Sequence, residues 1–212
     1  MNKRVVRGAA ASAAIAGAAL MGASLVPAPA NAVSLPSVTK VKNLPEGKVT
    51  IKLYNESARI SKAVTSTALS REVRVSGKVR VTTSGDVKGG TVSAGYIVGC
   101  QVNFGADMGA KGGISQKFDG SDPAPSVSGT GGIKLGPGQA KYAPIVRSVV
   151  DDTETNSFTF GNATGGVSYS GERFGVDGCA GYAQARAKVT VRVSTDTYVG
   201  NVTLYGKPFS IG

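Results

Sequence analysis

The chain has 212 residues, and its composition excludes several classes of function. It contains no histidine, so Ser–His and Cys–His nucleophile pairs and the common histidine-containing zinc sites are absent. We therefore expect no enzymatic activity, no cofactor and no metal. The net charge of +11 would suit an anionic partner or surface.

Residues 1–32 have the three parts of a secretory signal peptide. A positive start precedes a small apolar run over 9–26 and an A-x-A cleavage site at 30–32, so cleavage is predicted before Val33. The alternative, an uncleaved membrane anchor, fits the Ala/Gly-rich run and the cleavage pattern less well. The mature domain, 33–212, keeps 21 basic and 13 acidic residues, a net charge of +8. We expect an exported protein of the cell envelope, or a secreted one.

The mature chain alternates apolar and polar residues in many short runs separated by Gly, Pro and Asp. After an extended lead-in over 33–47, strands are predicted over 49–54, 72–83, 141–150, 157–160, 166–170, 183–194 and 202–205. Residues 55–70 are ambiguous, and a short helix is one interpretation. Residues 151–154 form an exposed acidic turn. The pattern predicts an all-β sandwich or barrel.

The basic residues of these strands alternate with valines. That pattern is typical of the solvated face of an amphipathic strand, and a specific polyanion site is the less favoured alternative. We expect no nucleic-acid partner. The residues are Arg71, Arg74, Lys78 and Arg80 in one strand, and Arg186, Lys188 and Arg192 in another.

Between these strands, residues 89–138 read as one long β-hairpin. The outgoing arm alternates apolar with polar or small residues, so that its apolar side chains lie on one face of the strand. The return arm shows the same alternation more weakly, up to Leu135. A tip rich in Gly, Ser, Pro and Asp joins the arms. The apolar face of such a hairpin must be covered, either by a protein core or by lipid.

The two cysteines, Cys100 and Cys179, are predicted to form a disulfide, because an even number in an exported chain favours pairing. The loop it closes corresponds to about 4.5 kcal/mol of stabilisation by chain entropy. Two unrelated buried thiols are the alternative. Metal ligation by two thiols without histidine is not expected.

Several motifs, in order, resemble the MspA-type porin family of actinobacteria with a mycolic-acid outer membrane. They are LSREVRVSG (69–77), GGTVSAGYIVG (89–99), LGPG (135–138), GNATGGVSYSG (161–171) and TLYGKPFSIG (203–212). The resemblance implies a β-sandwich rim domain with one hairpin that contributes to an oligomeric transmembrane β-barrel. It also implies eight subunits around a water-filled channel, with an acidic loop at the narrowest point.

In a membrane barrel, successive side chains face lipid and lumen in turn. The predicted lipid-facing residues are Val102, Phe104, Ala106, Met108, Ile133 and Leu135, and the predicted lumen residues are Gln101, Asn103, Asp107 and Lys134. A single hairpin would leave unpaired backbone groups in hydrocarbon, so insertion into outer-membrane lipid requires a closed homo-oligomer.

Counting onward from GYIVG, the resemblance places the constriction at Asp119 and Asp122, where a carboxylate ring would attract cations. Both residues also suit an ordinary turn. The resemblance thus implies passive diffusion of small hydrophilic solutes and ions. The alternative is an exported, non-channel envelope or binding protein with the same fold, favoured by the short, glycine-containing return arm.

Overall fold

In the residues that the computed structural model describes (32–62, 70–101, 133–150 and 152–212), the chain is all-β, as predicted. The strands are β1 Val33–Leu35, β2 Val38–Leu44, β3 Gly47–Lys62, β4 Arg71–Gly85, β5 Gly90–Cys100, β6 Ile133–Lys134, β7 Ala140–Pro144, β8 Ser148–Val150, β9 Thr153–Thr155, β10 Phe158–Phe160, β11 Thr164–Asp177, β12 Ala183–Ser194, β13 Val199–Tyr205 and β14 Phe209–Ser210. No helix that could cross a membrane occurs in this part of the chain.

Two sheets contain most of the strands. Sheet 1 has the order β1-β3-β4-β11-β6, with β2 also paired to β3. Sheet 2 has the order β10-β5-β12-β13, with β7 also on β5 and β14 also on β12. The pairings are antiparallel except for that of β6 with β11, which is parallel. The strands β8 and β9 form a separate hairpin at the predicted acidic turn.

The core lies between the inward faces of the two sheets. Every second residue of β4 and β12 is buried there, because successive side chains of a strand point to opposite faces. Tyr96 of β5 lies at its centre, with its ring centroid 5.6 Å from that of Phe174 and 6.0 Å from that of Phe209. The inward residues of the two long strands are Val73, Val75, Val79 and Val81, and Ala187, Val189, Val191 and Val193.

The predicted ambiguity over 55–70 resolves as strand for the described part. β3 continues to Lys62, so the helical interpretation is wrong for 55–62. A bulge lies between Tyr54 and Ser57, where Asn55 has a φ of 53°. Asparagine tolerates this left-handed conformation better than most residues, which explains how the strand absorbs an extra residue without ending.

The described outgoing part of the predicted hairpin over 89–138 is a strand, β5, but the described end of the predicted return arm does not pair with it. β5 is an inner strand of sheet 2, and its antiparallel return is β7, with Gly99 opposite Ala140. Ile133–Lys134 instead joins sheet 1. The apolar side chains on one face of the outgoing arm are therefore covered by the protein core as far as Cys100. Any separate stem is confined to residues 102–132, which lie outside the described residues.

Candidate functional site

The two residues that flank 102–132, Gln101 and Ile133, lie at one place in the sandwich, which we call the stem root and define as Gln101, Ile133–Leu135 and residues 176–182. At the exit, Gln101 has a φ of 56°, and its backbone N–H donates to the Tyr182 carbonyl at 2.8 Å. Its side-chain amide donates to the Ala180 carbonyl at 3.1 Å. The exit is therefore held by backbone and side chain together.

The return point contacts the same segment. Ile133 lies opposite Val176, Lys134 lies opposite Asp177, and the Leu135 N–H donates to the Asp177 carbonyl at 2.9 Å. The end of β11 and the loop after it thus contact both residues that flank 102–132, Gln101 and Ile133.

The disulfide between Cys100 and Cys179 is confirmed, and the alternative of two unrelated thiols is wrong. The two Cα atoms lie 5.6 Å apart, and both residues are fully buried. Beside it, the Cys100 N–H donates to the Gln139 carbonyl and the Gly138 N–H donates to the Cys100 carbonyl, each at 2.9 Å. The last residue of β5 is thereby tied to both sheets.

Arg71 stabilises the stem root through its guanidinium group. The sequence pattern predicts only a solvated face for this residue. Its Nη1 donates to the Cys179 carbonyl and its Nη2 to the Gly181 carbonyl, each at 3.1 Å. Gly178 and Gly181 have φ values of 77° and 113°, a region that favours glycine. These glycines let the loop turn its carbonyls toward the guanidinium, and nothing in the spacing of Arg71 signals that contact.

The predicted pore residues divide into three groups. Gln101 and Lys134, predicted for the lumen, are exposed at the stem root. Leu135 lies in the subunit's own core and is only 2% exposed, so its prediction as a lipid-facing residue is wrong. Ile133, also predicted to face lipid, is half-buried and packs against the same core. The rest lie outside the described residues: Val102, Asn103, Phe104, Ala106, Asp107, Met108, Asp119 and Asp122.

A buried carboxyl group, which sequence reasoning missed, lies inside the sandwich. The bulge at Asn55 turns Glu56 inward, where it is 1% exposed, and the Tyr96 hydroxyl donates to its Oε1 at 2.9 Å. The Tyr169 hydroxyl lies 3.1 Å from that of Tyr96. A Cβ at Gly77 would lie 2.5 Å from the Tyr169 hydroxyl, so glycine makes room for it.

Glu56 is poorly solvated. Its Oε2 is buried and has no hydrogen-bond partner in the part of the chain that the structure describes. Burial raises the pKa of this carboxyl group to about 7, although the hydrogen bond from Tyr96 acts in the opposite direction. Burial also raises the pKa of both Tyr96 and Tyr169, so these hydroxyls stay protonated beside it.

The basic strands differ in their surroundings. Arg74, Lys78 and Arg80 are exposed, as predicted for a solvated face. On sheet 2, Arg186 is only 7% exposed, with its guanidinium carbon 4.3 Å from the Tyr205 ring centroid. Burial lowers the pKa of Arg186, and the solvated-face prediction is wrong for it.

The family comparison covers most of the chain. The model of the MspA family matches residues 47–210, a span from the start of β3 to the end of β14. A search of the curated proteins finds no match. The matched span includes the two cysteines, Arg71 and the whole stem root.

Proposed function

The chain belongs to the MspA family, and from this premise we propose that it is a channel for the passive diffusion of small hydrophilic solutes and ions across an outer membrane. MspA is in general a family of outer-membrane porins and not of enzymes. The specific channel activity, the homo-oligomer and the contact with outer-membrane lipid are our proposals for this chain.

The observation that carries the proposal is the stem root. The residues that flank 102–132, Gln101 and Ile133, are held beside the segment 176–182, and the described residues form an apolar core between the two sheets. A membrane-spanning β-strand needs about 9–11 residues. The 31 residues of 102–132 supply two such arms and a tip of about ten residues.

The alternation in this segment supports a lipid-facing and a lumen-facing side. Val102, Phe104, Ala106 and Met108 would face lipid, and Asn103 and Asp107 would face water, continued by Gln101 and Lys134 at the root. Backbone groups of one hairpin cannot remain unpaired in hydrocarbon, so the hairpins of several subunits must close a ring. The family resemblance implies eight.

Selectivity in this proposal comes from the charges that line the narrowest point. Asp119 and Asp122 lie in the tip, where a ring of carboxylates would favour cations over anions. The alternative role of both residues in a turn predicts no effect on selectivity.

Planar-bilayer conductance of the mature, disulfide-intact chain tests the proposal. Stepwise, long-lived conductance is expected. Replacing Asp119 and Asp122 with Asn should then lower the preference for cations, whereas the matched control D86N/D196N, at exposed positions of the sandwich, should leave it unchanged. Equal preferences in the two variants would overturn the constriction assignment, and the absence of conductance steps would overturn the channel.

A non-channel envelope protein is the second candidate. The observation that favours it is that β5 and Leu135 already belong to the sandwich, so less of the predicted hairpin remains for a membrane. Under this alternative the mature chain stays monomeric without detergent. Under the channel proposal it assembles or aggregates.

A further inference from the structure

We propose that the outer face of sheet 1 is a binding site for a linear polyanion, of the class of acidic glycans that carry repeated carboxylate or phosphate groups. The inference concerns the sandwich alone and does not depend on channel activity. It stands on the arrangement of six exposed cations on β3, β4 and β11, which we call the basic face: Lys52, Arg59, Arg74, Lys78, Arg80 and Arg173.

Three of these cations form one row across three neighbouring strands. Arg59 of β3 lies directly opposite Arg74 of β4, and Arg74 lies directly opposite Arg173 of β11. Residues that face each other in this way have Cβ atoms about 4.5–5.5 Å apart. Three guanidinium groups therefore share one narrow strip of the surface, the arginine row.

The other three cations form a second cluster on the same face. Lys52 lies opposite Arg80, and Lys78 lies opposite Tyr54. The Lys52 ammonium is 5.6 Å from the Tyr54 ring centroid, which keeps it near its strand. On β4, Lys78 is four residues and Arg80 six residues beyond Arg74, so the second cluster lies about 13–20 Å from the arginine row.

Few carboxylates offset this charge. The Arg74 Nε lies 2.8 Å from the Glu72 Oε1, and this is the one ion pair of the basic face within the described ranges. Glu172, next to Arg173 in sequence, forms no ion pair with any described residue. Like charges placed directly opposite each other destabilise a sheet, so a bound anion would relieve the repulsion.

The side-chain chemistry indicates the kind of anion. Arginine forks bind carboxylate and phosphate groups with two parallel hydrogen bonds. A small anion would contact one cluster, whereas a chain of repeating anionic groups spans both. The outward residues around the cations are Ser, Thr and Gly, as at Ser76, Thr82 and Gly166.

This polar setting favours a soluble polymer over a membrane or a nucleic acid. Surfaces that dock on bilayers present Trp, Phe or Leu beside their cations, and single-stranded nucleic acid stacks on exposed aromatic rings. The aromatic residue of the basic face is Tyr54, which is half-buried under Lys52. Of the exposed apolar side chains, Val41 lies on the outer face of sheet 1, in β2 opposite Thr50, whereas Tyr182 belongs to a loop and Val199 to sheet 2.

The test measures binding of the mature chain to fluorescently labelled polygalacturonate and to inorganic polyphosphate at low salt. The variant R59Q/R74Q/R173Q removes the arginine row. The control K42Q/K88Q/K207Q removes the same charge at exposed positions away from the basic face. We expect the row variant to lose about ten-fold or more in affinity and to show a weaker salt dependence, with a much smaller loss in the control.

Thermal unfolding of each variant establishes that the sandwich is intact. If the triple variant is unstable, R59Q/R173Q, which keeps the Glu72–Arg74 ion pair, replaces it in the binding measurement. Tighter binding to one polymer than the other distinguishes carboxylate from phosphate ligands, and either result supports the proposal. Equal losses in the row variant and its control would overturn it, because net charge alone would then account for binding. Binding to neither polymer would also overturn it.

Discussion

The core of the sandwich and the stem root are stabilised by different interactions. The core is built from many apolar side chains of two sheets, each of which contributes a small part of the total. The stem root depends on one disulfide, the guanidinium of Arg71 and a few backbone hydrogen bonds. Substitutions in the core should therefore lower the stability of the whole sandwich by graded amounts, whereas the loss of a single contact other than the disulfide at the root should act mainly on the root itself.

Removing the disulfide should have the largest effect. In the variant C100S/C179S we expect the free energy of unfolding to fall by up to about 4.5 kcal/mol, because the unfolded chain regains the entropy of a long loop. Urea denaturation of the variant and the oxidised parent measures this. A loss below about 1 kcal/mol would contradict the role of the crosslink.

Leu135 distinguishes the core from the stem. Because its side chain is buried in the subunit, Leu135→Ala should destabilise the sandwich by about 3.5 kcal/mol, and Ile133→Ala, at a half-buried position, should cost less. Denaturation of the two variants without detergent measures both. Equal, negligible losses would restore the lipid-facing interpretation of Leu135.

The buried Glu56 makes the stability of the sandwich depend on pH. Burial raises the pKa of Glu56 to about 7 in the folded chain, above its ordinary value of 4.5, so the folded state holds the proton more tightly. The contribution of Glu56 to the free energy of unfolding is fully present below pH 4.5 and is lost as the pH rises through 7. For a fully buried group this loss is about 3 kcal/mol. Glu56→Gln should remove this slope of stability with pH, and the control Glu172→Gln, at an exposed position, should keep it. A parent protein whose stability does not change between these pH values would contradict the burial of an ionisable group there.

The smallest expected effect is at Arg71. Arg71→Gln removes the two hydrogen bonds to the carbonyls of Cys179 and Gly181, which should cost about 1–2 kcal/mol and loosen the loop after β11. Hydrogen exchange of the Gln101 and Leu135 amides should accelerate, while that of the central β4 amides should not. Equal acceleration in both places would show that Arg71 supports the whole sandwich.

The sequence predicts those parts of the fold in which one physical cause dominates. The alternation of β4 and β12 follows from one buried face, and the Cys100–Cys179 pairing follows from an even number of cysteines in a chain that is predicted to be exported. Alternation cannot reveal what covers the apolar face, because protein and lipid select the same pattern. This is why β5 and Leu135 were assigned to a stem.

Two other features depend on tertiary contacts that no local pattern contains. Glu56 is buried because a bulge adds one residue to β3, and a shift of one residue moves a side chain to the other face. Arg71 contacts carbonyl groups more than 100 residues later in the chain. The charge pattern around Arg71 is the same as that of its exposed neighbours, so the sequence offers no way to distinguish it.

The central claim is that the sandwich is a scaffold and residues 102–132 form the channel. The most direct test compares the single-channel conductance of the intact mature chain with that of a variant in which a short Gly/Ser linker replaces 102–132. We predict conductance steps from the intact chain and none from the variant, whose Cys100–Cys179 disulfide and thermal transition should be retained. Steps of the same size from the variant, or no steps from the intact chain, would contradict the claim.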